Sequence, residues 1–214
     1  MSETIVLDID LDDADPNGIF LIATVSGAEV VVLDGALVSG TVATMDFARK
    51  IAFDSVGNDS GMTFTVVGTD QDGKALTEVV TGGNATLAES AGYFKTVTSI
   101  TTSAGTAADV TIGTVDEASA RTVPLNSRSD SGATVNVNVT GTIDYTVQER
   151  FDDIQASNTA VQTNNWQTVA AFSAKTADVT SGLSAGASAA RIIINSHSTG
   201  AELQMYVAQP SYGA

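Results

Sequence analysis

The chain has 214 residues, 25 of them acidic and 9 basic, for a net charge of −16. A surface so acidic repels phosphate backbones and anionic lipid, which argues against direct binding to nucleic acid or a membrane surface. There is no Cys, so disulfides, thiolate metal sites and cysteine catalysis are excluded.

Nineteen Gly, three Pro and an aromatic content of only 6% accompany an apolar set made mostly of Val, Ile and Ala. Many short strands joined by tight turns have this composition. Charged residues are only 16% of the chain, so much of the surface must be Thr, Ser, Asn, Gln, Gly and Ala. Surfaces of that kind suit proteins packed densely against copies of themselves. Met1-Ser2-Glu3-Thr4 lacks the basic start of a signal peptide, and no apolar run approaches the ~18 residues of a membrane-spanning helix.

In chain order, Glu3–Leu11 alternates, with Leu7, Ile9 and Leu11 against Asp8, Asp10 and Asp12, and predicts a strand with one acidic face. Asp15-Pro16-Asn17-Gly18 fits a β-turn. Ile19–Val25, Glu29–Leu33 and Ala36–Met45 then read as strands. These first 45 residues suit two or three hairpins, or an arm that pairs with a neighbouring subunit. Arg49–Gly82 predicts a three-stranded meander, with strands at Arg49–Ser55, Met62–Thr69 and Ala75–Thr81. Met62, Phe64 and Val66 share one face against Thr63, Thr65 and Val67. Asp70-Gln71-Asp72-Gly73 is the strongest hairpin signal, as a primed turn favours Asp-Gly.

Ala85–Gly92 suits a helical turn, and Tyr93–Thr101 and Asp109–Thr114 read as strands. Val115–Arg121 suits one or two helical turns, and the polar stretch that follows makes residues 115–131 the candidate linker. Ala133–Thr140 and Ile143–Arg150 alternate cleanly, and Trp166–Phe172 holds the only Trp. Ser173–Ala187 reads as loop, and Ala189–Asn195 with Ala201–Gln209 as a closing hairpin around Ser196–Gly200. The fold class is all-β, with two small antiparallel β-sandwich domains, Ig-like or jelly-roll-like, at 1–122 and 132–214.

Ser55-x-Gly57-Asn58-Asp59-Ser60-Gly61, Thr63–Val66, Gly68–Lys74 and Thr77-Glu78 carry a resemblance, continued by Tyr93–Ile100. Over roughly residues 49–113 the chain resembles β-rich structural proteins of tailed bacteriophages. Val147-Gln148, Phe151-Asp152-Asp153, the later Trp and the closing hairpin resemble small sandwich modules of phage virion proteins. The resemblance implies a virion part made in the bacterial host cytoplasm. Together with the acidic composition it points to capsid decoration: a self-associating protein, a trimer at capsid three-fold positions, touching the major capsid protein or other virion proteins. A tail, neck or fibre component is the alternative. A carbohydrate-binding or adhesin module is another, for which exposed aromatics lining a groove are expected.

No constellation carries chemistry. Asp13-x-Asp15-x-Asn17-Gly18 matches the first half of an EF-hand loop, but Thr24 stands where the bidentate carboxylate belongs. A turn with acidic flanks is the favoured reading, and Asp13, Asp15 and Asn17 are kept as candidate ligands for a cation between subunits. Asp70 and Asp72 are read the same way. Asp152 and Asp153 are adjacent, so in a strand they face opposite ways and form no acid–base pair. His197, the only His, falls in a predicted turn. No phosphate-binding loop is present. The chain is therefore read as non-enzymatic and without a cofactor. Trp166, Tyr145 and Phe151 are candidates for core or for a subunit interface, and Arg121 and Arg128 for pairing with an acidic neighbour.

Overall fold

The computed structural model describes residues 3–126, 132–152 and 165–209. Among them the protein is all-β and antiparallel, of sandwich type, with one short 3₁₀ turn at Ala170–Phe172 and no α-helix. No helix there is long and apolar enough to cross a membrane. The chain divides into two compact units, residues 14–118 and residues 1–13 with 119–214. The expected split at 1–122 and 132–214 differs in two respects: the first thirteen residues and residues 119–122 go with the C-terminal half. Strand β1 (Glu3–Asp10) pairs along its whole length with the last strand of its own chain. The arm reading is thereby answered within one subunit.

The unit of residues 14–118 holds β2 (Phe20–Ala23), β3 (Val38–Ser39), β4 (Val42–Ser55), β5 (Thr63–Thr69), β6 (Ala75–Thr81), β7 (Ala88–Glu89), β8 (Phe94–Thr102) and β9 (Val110–Ser119). Its main sheet runs β9-β4-β8-β5-β6, with β2 on β9 and both β3 and β7 on β4. The expected meander is therefore interrupted, because β8 lies between β4 and β5. The loop after β4 pairs instead with the one after β6: Asp59 N donates to Gly83 O, and Ala85 N to Gly57 O. Neither predicted helical turn forms: Ala85–Gly92 holds the two-residue strand β7, and Val115–Ser119 is strand. Glu89 pairs with Ala52, and β9 continues through Val115–Ser119, where Ala118 is buried beside half-buried Glu117. Pairing with strands distant in sequence, not alternating burial, makes these segments extended.

β4 is bent by an irregularity between Thr44 and Arg49. Side chains meet the backbone groups that such a bulge sets free. Lys95 Nζ donates to the carbonyls of Met45 (2.6 Å) and Asp46 (2.7 Å). Ala48 N donates to Gln71 Oε1, and the buried Arg49 guanidinium grips both Asp46 oxygens at 2.8 Å. Beyond the bend, Phe53 stacks on Phe64 of β5 with ring centroids 4.3 Å apart. Strands two places apart in a flat sheet are about 9–10 Å apart, so the sheet curls over its own core here. Ile19, Ile51, Phe64, Leu76, Ile100 and Ile112 all belong to that core.

The other unit is a sandwich. One sheet runs β1-β16-β11-β14, using β11 (Thr134–Thr140), β14 (Val179–Gly182) and β16 (Glu202–Gln209). The other has β13 (Gln167–Thr168), β12 (Ile143–Arg150) and β15 (Ala189–His197), with β10 (Val123–Pro124) on β15. Leu7, Ile9, Val135, Val137, Met205 and Val207 are buried from the first sheet, and Ile143, Tyr145, Val147, Ile192 and Ile194 from the second. β14 lies inside the stretch predicted as loop. Its partner β11 supplies the pairing that a segment rich in Ser, Ala, Thr and Gly does not announce.

Candidate interaction surface

The residues singled out from sequence are scattered and mostly engaged in the fold. Asp15 makes the predicted turn, its carbonyl accepting from Gly18 N at 3.1 Å and from Thr114 N at 2.8 Å. Asp13 accepts from Thr199 Oγ1 at 2.8 Å, and Asn17 is an exposed turn residue. Among the described residues no three His, Cys, Asp or Glu side chains converge as metal ligands. Asp70 organises its hairpin by accepting from Asp72 N (3.0 Å) and Lys74 N (2.8 Å). Only Gly73 has positive φ there, at 75°, so the turn is a regular one followed by a glycine bulge rather than the primed turn expected. The carboxylate holding two amides explains the choice.

Tyr145 is fully buried in the sandwich, and its hydroxyl donates to Ala177 O at 2.9 Å. Burial, followed by the Asp178 charge, pushes its pKa up to about 12. Trp166 is half-buried on β12 and β15, with the guanidinium carbons of Arg191 and Arg150 4.4 Å and 5.3 Å from its ring centre. Two cations on one indole make it a lid over buried arginines rather than a free sugar platform. Arg150 also grips Asp152 through Nε (2.5 Å) and Nη2 (2.6 Å), and Asn165 adds a further bond. These bonds, the Arg150 ones first, lower the Asp152 pKa to about 2. Phe151 is 46% exposed and Arg121 is exposed. Arg128 and Asp153 lie outside the described residues. His197 ends β15, ahead of a turn closed by Ala201 N to Ser198 O.

A different surface stands out, on the outer side of β8, β5 and β6. Register places Val79, Thr65 and Thr101 in one row across the three strands. Thr77, Val67 and Ser99 form the next, then Ala75, Thr69 and Thr96, with Thr81 and Thr63 at the opposite end. All are exposed or half-exposed, Val79 at 61% and Val67 at 37%. None is charged, on a chain of net charge −16. Two charged groups that stand near point away from it. Glu78 turns to the core side, accepting from Ala91 N and Gly92 N, and Lys95 reaches the β4 bulge. A hydroxyl pair links neighbouring strands within a row, Thr69 with Thr96 at 2.7 Å. The alternation of Thr63, Thr65 and Val67 against buried partners was legible in sequence. That three strands align one neutral face was not, because β8 joins β5 from thirty residues away.

No protein-family model and no curated protein matches this chain. Its reading rests on its own residues.

Proposed function

We propose that this protein is a non-enzymatic structural component of a tailed-phage virion, and that its position there is capsid decoration. The observation that carries the proposal is the uncharged Thr/Val face of β8, β5 and β6 on an otherwise strongly acidic molecule. Ordered β-branched and hydroxyl rows with no charge present a stiff surface that loses little entropy on contact, while carboxylates elsewhere keep free copies apart. A decoration protein needs that combination: soluble at high concentration, yet able to lie against neighbours in a particle. The resemblance of residues 49–113 to β-rich virion proteins supports the same reading. In it the partners are further copies of the chain, arranged as a trimer, and the major capsid protein.

Immunogold labelling of purified particles of the virus that encodes the chain tests the proposal. Regular label over the head is the expected result. Label confined to tail, neck or fibres would move the protein to that position, and particles free of the chain would overturn the virion reading.

A further inference from the structure

We infer that two copies of this chain join through the free edge of β6, pairing antiparallel about a two-fold axis at Val79. This deepens the self-association part of the reading above and does not depend on the position in the particle.

Edge strands invite pairing, and proteins normally guard them with charge, proline, bulges or shortness. Among the described residues β6 is the last strand of its sheet and has a backbone partner, β5, on one side only. It is seven residues long. The other terminal strands differ. β1 carries exposed Asp8 and Asp10, the second placed opposite Glu202, while β14 has four residues and β13 two. The one charge within β6 is Glu78, and its carboxylate is held on the core side by the amides of Ala91 and Gly92. A seven-residue edge is left whose one charge is held inward.

The occupant follows from charge and register. Two chains of −16 repel wherever carboxylates face each other, and the β6 edge with its outer face is a place where they do not. Centring the pair on Val79 sets Val79 against Val79 and Thr77 against Thr81, the β-branched and Thr–Thr pairs that antiparallel sheets favour. It also sets Glu78 beside Val80, whereas centring one residue earlier would oppose Glu78 with Glu78 and is disfavoured. The neutral rows of the outer face then run uninterrupted across both copies. Because an isologous patch pairs only two chains, this contact links a chain of one trimer to a chain of the next and is separate from the three-fold contact.

The absence of Cys makes single-cysteine variants unambiguous reporters. Val79→Cys is expected to form a covalent dimer on mild oxidation, since directly opposed residues lie ~4.5–5.5 Å apart at Cα, within disulfide reach. A mixture of Thr77→Cys and Thr81→Cys chains should cross-link only as the mixed pair. Thr65→Cys, on the same face one strand inboard, should stay uncross-linked, because three strand spacings of about 14 Å in total would separate the two thiols. Val79→Lys should remove the contact from the light-scattering mass with an unchanged thermal midpoint. Cross-linking of Thr65→Cys in place of Val79→Cys would show face-to-face packing and overturn the edge pairing. So would silence of all the cysteine variants at concentrations where the parent self-associates, or a parent monomeric throughout. Such a failure leaves the virion proposal to the labelling experiment.

Discussion

Tyr145 and Asp152 show how single ionisable groups take opposite sides of the pH scale. The folded phenol ionises at about 12 because burial disfavours tyrosinate, whereas an unfolded one ionises near its ordinary 10.0. Tyr145 therefore contributes stability that is complete below pH 10 and is lost as pH rises through that interval. Alkaline unfolding should be accompanied by a late step in tyrosinate absorbance, and Tyr145→Phe should abolish the step. The same variant should lower stability at neutral pH by roughly 1 kcal/mol, for the bond to Ala177 O. Asp152 runs the other way. Its carboxyl falls from 3.8 to about 2, so its contribution is present above pH 3.8 and disappears as pH drops toward 2. Carboxyl NMR titration should place its midpoint well below those of exposed aspartates, and Arg150→Met should return it to the ordinary range.

At the scale of elements, two glycines separate conformational strain from lack of room. Gly73 holds φ at 75° in the β5–β6 turn, with nothing within 4 Å of where a Cβ would stand. Gly73→Ala should cost about 1 kcal/mol, the penalty of a left-handed residue. Gly113 sits beneath the Asp15–Gly18 turn, and a Cβ there would fall 2.0 Å from Asp15 O and 2.3 Å from Pro16 C. Backbone cannot step aside as a side chain can, so Gly113→Ala should cost on the order of 3 kcal/mol. Urea midpoints measured together would rank the two. β4 makes the complementary point. Sequence alternation shows two separate strands at Ala36–Met45 and Arg49–Ser55, yet one strand of fourteen residues forms. The bulge that joins them depends on the local grip of Arg49 on Asp46 and on Lys95 and Gln71, side chains distant in sequence.

For the whole molecule, the consequence is the unequal role of the chain's beginning. Residues 1–13 belong to the sandwich formed by residues 119–214, while residues 14–118 form a unit without them. β1 covers one edge of β16 over eight paired positions and contributes Leu7 and Ile9 to the sandwich core. Removing residues 1–13 should therefore leave amide protection in β4, β5 and β8 while collapsing it in β11 and β16. Hydrogen exchange resolved by peptide would show this. Uniform loss across both units would mean that they unfold as one.

What the sequence by itself determined is local. Alternation and turn residues placed β1, β5, β6, β11, β12 and β16 within about two residues, since period-two burial and Gly, Pro and Asp chemistry act over a few positions. Composition set the fold class and the acidic surface. Pairing was decided only in three dimensions. The insertion of β8 between β4 and β5, the return of β1 to β16, and the strand character of Val115–Ser119 all depend on partners far along the chain. The candidate surface has the same origin. Thr and Val at alternate positions of β5 and β6 are visible in one dimension, but a neutral face and an unguarded edge are properties of neighbouring strands. Those neighbours are chosen by long-range burial, which no local pattern encodes.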